Sequence, residues 1–559
     1  MRLNYDCLLL VMRHVAQESH RWPPPDLLAF MRTCSYLYHH GMPLLIGAPY
    51  IFAVLGDTLA SFADFLLDHP ERCSHLRSLH LAPTFILNTN QSAAMRALDK
   101  LIVVLTHARD SLRVLVLPDV EFLLGENPRF STALSSLTAV KCIRIDMFVW
   151  GTLTVRMLES LKSPVSRVSL DFGRPTSSQE ISLTTSLARF TNTLLDLRVL
   201  KPAPIFATHQ YHAVRTLHLT RTYDLNISTL HYCFPNVAVL NLQPELPLLT
   251  LPDDVEESHR NNQSVAASSS YWSSLDVLTC QISHVYAWAL PCKVRLWHIP
   301  FTPTPVSSSD RQRTSWFHSV LSSLCPSHLI IFLTHGEDDD ISNVSDLFPH
   351  GCSVTHLDLT VDLYRFSNKP ERTHGFMYIL EAALVASVSK LDLQHFNLRI
   401  LCFIARRPVI GYLQDFISSS PEEGNADYLK SANLYARGMT DTLPHTEAAD
   451  GAPRFAVTRE LYKMDMEVYA HSLASRCPNL QDILVHWHHN AIKLHDGHYW
   501  RVVRDGTRAN ATTGDGGSAS FNSHRLAPLL LDSTWKWVEP YYSLFGPWNS
   551  ADIGFQKRE

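Results

Sequence analysis

The chain has 559 residues and a formal net charge of −5 at pH 7, with 46% of the residues hydrophobic and 18% charged. Such a composition sustains a large packed core and excludes a disordered chain, while the near balance of charge argues against a nucleic-acid binder, which carries a strongly basic face. The length implies three to four domains at roughly 150 residues each, or fewer if the chain is built of repeats.

Eleven cysteines are scattered with no CxxC pair, so neither a zinc ribbon nor a thioredoxin-like motif is present and reduced, structural thiols are expected. The apolar run from Leu8 to Met12 is too short and too closely flanked by Asp6 and Arg13 for a signal peptide. The stretch from Met42 to Leu55 is broken by Pro43, Gly47 and Pro49 and falls short of the roughly 20 residues that cross a bilayer. A cytoplasmic or nuclear protein without a membrane segment is expected.

The first fifty residues carry the clearest local signal. Asn4 is a good N-cap, and Cys7, Leu8, Val11, Met12 and Val15 follow at the spacing of one helix face. After the breaker WPPP, a second helix is expected with Leu27, Phe30, Met31, Cys34, Leu37 and Tyr38 on one face, closed by two histidines and Gly41. Two helices cannot bury both apolar faces by themselves, which leaves apolar surface for a partner or for the next part of the chain.

This opening resembles an F-box, the helical module by which substrate receptors dock on the adaptor subunit of cullin-type ubiquitin ligases. Leu3, Asp6, Cys7, Leu8 and Val11 match the family's Leu-Pro-x-Asp/Glu-ϕ-Leu-x-x-Ile pattern, with Asn4 at the proline position, and Asp26, Leu27, Leu28, Cys34 and Tyr38 match its second half. Residues 26–45 are particularly similar to the F-box-like openings of large families of proteins from mushroom-forming fungi. The resemblance implies a module over residues 1–50 whose exposed anchors for the adaptor are Leu3, Leu8, Val11, Met12, Leu27, Leu28 and Met31. On that reading, charged residues at Leu8 and Leu27 abolish docking. The alternative is that these helices only cap a repeat stack.

From residue 75 onward the spacing ϕ-x-x-ϕ-x-ϕ recurs twelve times. It is carried by HLRSLHL (75–81), SLRVLVL (111–117), AVKCIRI (139–145), PVSRVSL (164–170), TLLDLRV (193–199) and AVRTLHL (213–219). It continues in NVAVLNL (236–242), SLDVLTC (274–280), KVRLWHI (293–299), HLIIFLT (328–334), SVTHLDL (353–359) and SVSKLDL (387–393). The mean interval is about 28 residues, inside the range of leucine-rich repeats. Period 2 puts the closing pair of apolar residues on one strand face and the polar residues between them on the other. Helical spacing precedes some strands, as in Met95, Leu98, Leu101, Ile102 and Leu105, or Phe376, Ile379, Leu380, Ala383 and Leu384. The turns CFPN (233–236) and RCPN (476–479) punctuate the alternation.

The pattern resembles a degenerate leucine-rich repeat array, with Thr84, Val120, Glu245 and Asp362 where that family has Asn or Cys. An ordinary α/β domain with a parallel sheet is the alternative. The expected fold is α/β, with the F-box-like module over 1–50 and an irregular leucine-rich-repeat-like solenoid over 51–417. A flexible linker or insertion over 418–458 and a last repeat with a C-terminal cap over 459–559 complete it. The late unit is a helix near Arg459 to Ser475 followed by NLQDILV, and Trp535, Trp537, Tyr541, Tyr542, Phe545 and Trp548 cover its end. Leu251 to Tyr271 and Asp505 to Ser523 are expected as loops.

For chemistry, His486, His488, His489, His495 and His498 place imidazoles at i and i+2 on one strand, with His498 returning from the next, so a metal site is geometrically open there. The bland alternative is a histidine-rich strand pair in a chain with 30 histidines. The acidic run Glu337 to Asp340 lacks the alternation of a calcium loop, and no P-loop, GxGxxG, GxSxG or HExxH string occurs. No catalysis and no cofactor are expected. The function expected from the resemblance is substrate recognition for a cullin-type ubiquitin ligase, with an adaptor subunit and an unknown target protein as partners and neither nucleic acid nor membrane. An interaction scaffold without a ligase link, and a metal-dependent enzyme centred on His486 to His498, are the alternatives.

Overall fold

The computed structural model describes residues 5–18, 25–47, 50–52, 57–81, 91–146, 151–172, 182–201, 205, 207–222, 226–244, 252–266, 271–303, 310–334, 345–362, 376–402, 466–489, 494–504 and 524–528. These fall into two compact units, one up to Trp297 and one from His298 on, a division inside the stretch 51–417 expected as one array. The class is α/β.

The first unit opens with α1 (Tyr5–Glu18), α2 (Pro25–Met31) and α3 (Ser35–Gly47), which pack on one another. The single helix expected from Leu27 to Tyr38 is therefore two. Thr33 Oγ1 donates to Phe30 O at 2.7 Å and its own N–H bonds the same carbonyl, so the helix ends in a tight turn at Thr33. Gly41, expected as a C-cap, lies buried inside α3, where a Cβ would stand 2.7 Å from Met12 Cε and 2.9 Å from Met31 Sδ. Its missing side chain is what lets α3 close on α1 and α2.

Strands and helices then alternate: β1 (Tyr50–Phe52), α4 (Asp57–Leu67), β2 (Ser78–Leu81), α5 (Gln91–His107), β3 (Val114–Pro118), α6 (Val120–Glu126), α7 (Pro128–Ser136) and β4 (Cys142–Asp146). They continue as α8 (Thr152–Ser160), β5 (Arg167–Asp171), α9 (Leu183–Ser186), β6 (Asp196–Leu200), β7 (Thr216–Thr222), α10 (Ile227–Cys233) and β8 (Val239–Pro244). The unit ends with α11 (Pro252–Ala266), β9 (Ser274–Thr279), α12 (Ile282–Trp288) and the first residues of β10 (Lys293–Pro303).

β1 to β9 pair in parallel and in strict chain order. Parallel neighbours need a crossover, and a crossover that always steps to the next strand yields this order. The first eight segments of the recurring spacing fall on β2 to β9. Leu79, Leu115, Ile143, Val168, Leu197, Leu217, Leu240 and Leu278 share one register, and Leu117, Ile145, Leu170, Val199, Leu219 and Leu242 share the one two residues on. All are buried, each contributing about 1.5–3 kcal/mol of hydrophobic stabilisation. Helices α4, α5, α7, α8 and α9 contact one another in the same succession.

Local chemistry starts these helices. Asn127 and Asn226 accept from Arg129 N (3.1 Å) and Thr229 N (3.0 Å), capping α7 and α10. α8 is capped from another helix: Glu121 of α6 accepts from Leu153 N (3.1 Å), Thr154 N (2.9 Å) and Thr154 Oγ1 (2.9 Å). A Cβ on Gly151, the N-cap residue, would stand 2.6 Å from Glu121 Oε2, so glycine makes room for the carboxylate. Glu121→Ala is expected to destabilise the unit by about 1–2 kcal/mol, since two amides and the favourable helix-end charge are lost together. Chemical denaturation of the variant checks it, and an unchanged midpoint would show the amides satisfied by water.

The stretch Leu251 to Tyr271, expected as a loop, contains α11. Asp253 and Asp254 stand in its first turn, where the helix dipole favours them. Val255 is buried, His259 stacks on Tyr286 of α12 at 3.9 Å, and Asn262 Nδ2 donates to Ala287 O at 2.8 Å. Tertiary contact here overrides a polar composition.

The second unit contains the rest of β10, α13 (Asp310–Leu324), β11 (His328–Thr334), β12 (His356–Asp362), α14 (Phe376–Val388), β13 (His395–Cys402), α15 (Met466–Arg476), β14 (Asp482–His489), β15 (Leu494–Arg504) and β16 (His524–Pro528). β11 to β14 pair in parallel, whereas β14, β15 and β16 are antiparallel. KVRLWHI, HLIIFLT and SVTHLDL lie on or lead into β10, β11 and β12, but SVSKLDL straddles the end of α14 and the turn after it. The strand is β13, and Leu393, Phe396 and Leu398 are its matching residues, a frame five residues later. Both frames bury apolar side chains; the pairing of His356 with His395 sets the strand. The segments 418–458 and 505–523 and the aromatic residues from Trp535 on lie outside the described residues, among which no helix is long and apolar enough to cross a membrane.

Candidate functional site

Two surfaces stand out, both in the first unit. On the helical trio, Tyr5, Leu10, Val11, Tyr36 and Tyr38 make up half of the exposed large apolar side chains of the described residues, with Leu10 62% and Val11 44% exposed. The rings of Tyr5 and Tyr36 meet at 4.7 Å and join α1 to α3. Of the seven anchors expected here, Val11 is exposed and Leu8 and Leu28 are half-buried, while Leu3 lies outside the described residues. Met12 and Leu27 are 0% exposed and Met31 is buried, so these three are core and not exposed anchors. Closing a third helix over the first two turns their shared apolar face inward. The expected Leu8 and Leu27 charge test is corrected with them, because a charge at Leu27 attacks the fold itself.

The second surface is the strand face opposite the leucine rows. His80, Val116, Arg144, Ser169, Arg198, His218, Asn241 and Thr279 occupy one register across β2 to β9. These are the residues between the closing apolar pair, and several are deeply buried, with His218 6%, Asn241 5% and Thr279 0% exposed. Desolvation, helped by the charge of Arg198, pushes His218 down to about 3, and desolvation with Arg144 pushes His80 down to about 4. Both imidazoles are neutral near neutrality; His80 Nε2 and Ser78 Oγ share a hydrogen bond of 2.8 Å. Arg144 pairs with Asp146 at 2.8 Å and Arg198 with Asp196 at 3.5 Å, so the charges along the row are matched in place. Burial raises the Asp196 carboxyl against the opposing pull of Arg198. Val116 of the row forms a small apolar cluster with Val114 and Cys142, and burial pushes the Cys142 thiol up to about 12, far from a nucleophile's range.

In the second unit, His328, His356 and His395 share one register on β11 to β13, followed by Asp482 on β14. The ring centroids are 3.7 and 4.4 Å apart with the planes tilted by 35° and 32°, and His395 Nδ1 is 3.0 Å from Asp482 Oδ2, while Asp482 Oδ1 accepts from Arg501 Nε at 3.2 Å. Two residues on, the half-buried Asp358 is paired in register with the buried Asn397, and desolvation raises the Asp358 carboxyl.

On the backbone the five-histidine cluster is divided, with His486, His488 and His495 on one face of the β14–β15 pair and His489 and His498 on the other. β14 and β15 do pair, but the register sets His488 opposite His495 and His498 opposite Val485. His498 is thus aligned with positions of the opposite parity from His486 and His488 and does not return to them. Among the described residues no group of three His, Cys, Asp or Glu is placed to hold a metal ion.

The buried polar row escapes sequence reading because it exists only once eight strands are aligned. Its one trace is a polar residue between the closing apolar pair, which periodicity assigns to the outer face without saying whether water reaches it. Comparison with protein-family models, with curated proteins and with solved structures finds no match to the chain.

Proposed function

We propose that the chain is a substrate-recognition subunit of a cullin-type ubiquitin ligase, with the trio α1 to α3 as an F-box-like module and the ladders of parallel strands as an irregular leucine-rich-repeat array that binds a target protein. The observation that carries the reading is the exposure of Tyr5, Leu10, Val11, Tyr36 and Tyr38 on a three-helix module whose own core is already filled by Met12, Leu27, Met31, Leu37 and Ile46. Apolar and aromatic side chains left outside a complete core are typical anchors of a protein interface. The strict chain order of β1 to β9 supports the repeat reading, since each unit steps to its neighbour. On this reading the chain performs no chemistry and transfers no ubiquitin itself.

A capping role accompanies docking, because α3 also packs against the turn Pro70–His75 that leads into β2. Coexpression with the adaptor subunit of a cullin-type ligase, followed by size-exclusion chromatography, separates the two. Leu10→Glu with Val11→Glu is expected to abolish comigration, a loss of about a thousandfold in affinity if each is an anchor worth on the order of 2 kcal/mol. The unfolding midpoint stays that of the wild type, because both side chains already face solvent. No comigration of the wild-type chain, or comigration of the double variant, removes the docking assignment and leaves the trio as a cap.

A further inference from the structure

The parallel strands of the first unit start in line, and the residues just before their starts line up with them. Arg113 and Val114 donate their amides to Arg77 O, Lys141 and Cys142 to Arg113 O, Ser166 and Arg167 to Lys141 O, and Leu195 and Asp196 to Ser166 O. Arg77, Arg113, Lys141, Ser166 and Leu195 therefore form one row along the edge of the sheet where β2 to β6 begin, with neighbours about 4.8 Å apart. Arg77, Arg113 and Lys141 are exposed, and Leu195 at the other end of the row is 50% exposed.

Three cations in adjacent places repel one another, and like charges facing across a strand pair destabilise a sheet. Arg77 Nη1 donates to Ser111 O at 3.0 Å and Arg113 Nη1 to Ala139 O at 2.9 Å, which ties each turn to the next and leaves the other N–H groups of both side chains for a ligand. None of the three cations has a carboxylate partner among the described residues. The acids of the same turns are engaged elsewhere: Asp110 accepts from Thr138 Oγ1 at 2.5 Å and from Arg109 Nε at 3.1 Å, and Glu71 lies 3.4 Å from His69. Inside the sheet, by contrast, Arg144 and Arg198 are each held by an aspartate. The row is a local excess of positive charge on a chain whose net charge is −5, and an anionic partner relieves it.

Spacing and the leucine narrow that partner. Side chains on one face of an extended segment recur every second residue, about 6.8 Å apart. The pattern Glu-x-Glu-x-Glu-x-Leu thus spans about 20 Å, and the four strand spacings from Arg77 to Leu195 span about 19 Å. Nucleic acid fits less well, because no aromatic side chain stands in the row to stack on a base. A membrane fits less well too, since Leu195 is the one apolar member of the row. We propose that this row binds an extended acidic segment of a partner protein, with carboxylates against Arg77, Arg113 and Lys141 and an apolar side chain against Leu195. The proposal rests on the reading of the strand array as a target-binding surface when it assigns the segment to the target; the binding itself needs no adaptor.

Fluorescence anisotropy of labelled Glu-Ser-Glu-Ser-Glu-Ser-Leu and of the reversed sequence, on the full chain, tests it. One of the two orders is expected to bind, about tenfold more weakly when its glutamates are glutamines, and more weakly at about 200 mM than at about 50 mM salt, because exposed charges are screened. Lys141→Glu is expected to weaken binding about fivefold and Leu195→Ser about threefold, and a peptide with serine in place of its leucine is indifferent to Leu195→Ser. Without peptide, Lys141→Glu unfolds at the wild-type temperature or above it, because a repulsion along the row becomes an attraction. A lower unfolding temperature would show that Lys141 is already paired within the chain and overturn the proposal. Equal binding of the glutamate and glutamine peptides, or binding of neither order, also overturns it. Oligothymidine, or vesicles of equal parts phosphatidylcholine and phosphatidylserine, are the competing ligands. Tighter binding of either than of the peptides, weakened by Lys141→Glu, would give the row to a phosphate-bearing partner and overturn the acidic segment. Adaptor comigration is unaffected by any of these results, so the ligase reading is judged separately.

Discussion

Leu27→Asp is expected to unfold the helical trio. The side chain, on α2, is 0% exposed, so the substitution removes about 2–5 kcal/mol of packing and adds the cost of placing a carboxylate in an apolar site, several kcal/mol more. That total is comparable to the whole stability of a typical domain. Hydrogen exchange at the amides of α1 to α3 reads the outcome directly. The variant's amides should exchange without protection while those of β3 to β8 stay protected, and adaptor comigration should vanish for want of a fold. Retained protection across α1 to α3 would mean that Leu27 reaches solvent and that the core placed on it is wrong. The contrast with Leu10→Glu and Val11→Glu matters, since only there does lost docking report on an interface.

Acidification is expected to destabilise the first unit through its buried imidazoles. His218 and His80 are pushed down to about 3 and about 4 in the folded chain, whereas an unfolded histidine titrates near 6.5. Below about pH 6.5 the unfolded chain therefore binds protons that the folded chain refuses, so stability is complete above that pH and falls as pH drops toward the folded values. At about pH 5 each group costs about 2 kcal/mol relative to neutrality, and the pair about 4 kcal/mol. Urea unfolding at about pH 7.5 and about pH 5 measures the loss, and His80→Gln with His218→Gln should remove most of it. An identical pH dependence in the double variant would place the titrating groups elsewhere.

Much of the scaffold was legible without coordinates. Leucines at the recurring spacing marked β2 to β9, and Leu98, Leu101, Ile102 and Leu105 marked α5, because a strand or helix that buries one face must repeat its apolar residues at its own period. Errors arose where two elements compete for one apolar run. Val388, Leu391 and Leu393 satisfy the strand template yet finish a helix and its turn, and α11 forms from a polar stretch because His259, Val255 and Asn262 find partners on or near α12.

Periodicity by itself determined which residues face the leucine rows, and through them that the chain is α/β. Only the tertiary structure decided that Met12, Leu27 and Met31 close a core while Leu10 and Val11 remain outside it, and that His218, Asn241 and Thr279 are shut away from water. Both outcomes depend on what covers a face from another part of the chain, a long-range property that the spacing of neighbours along one helix or strand does not encode.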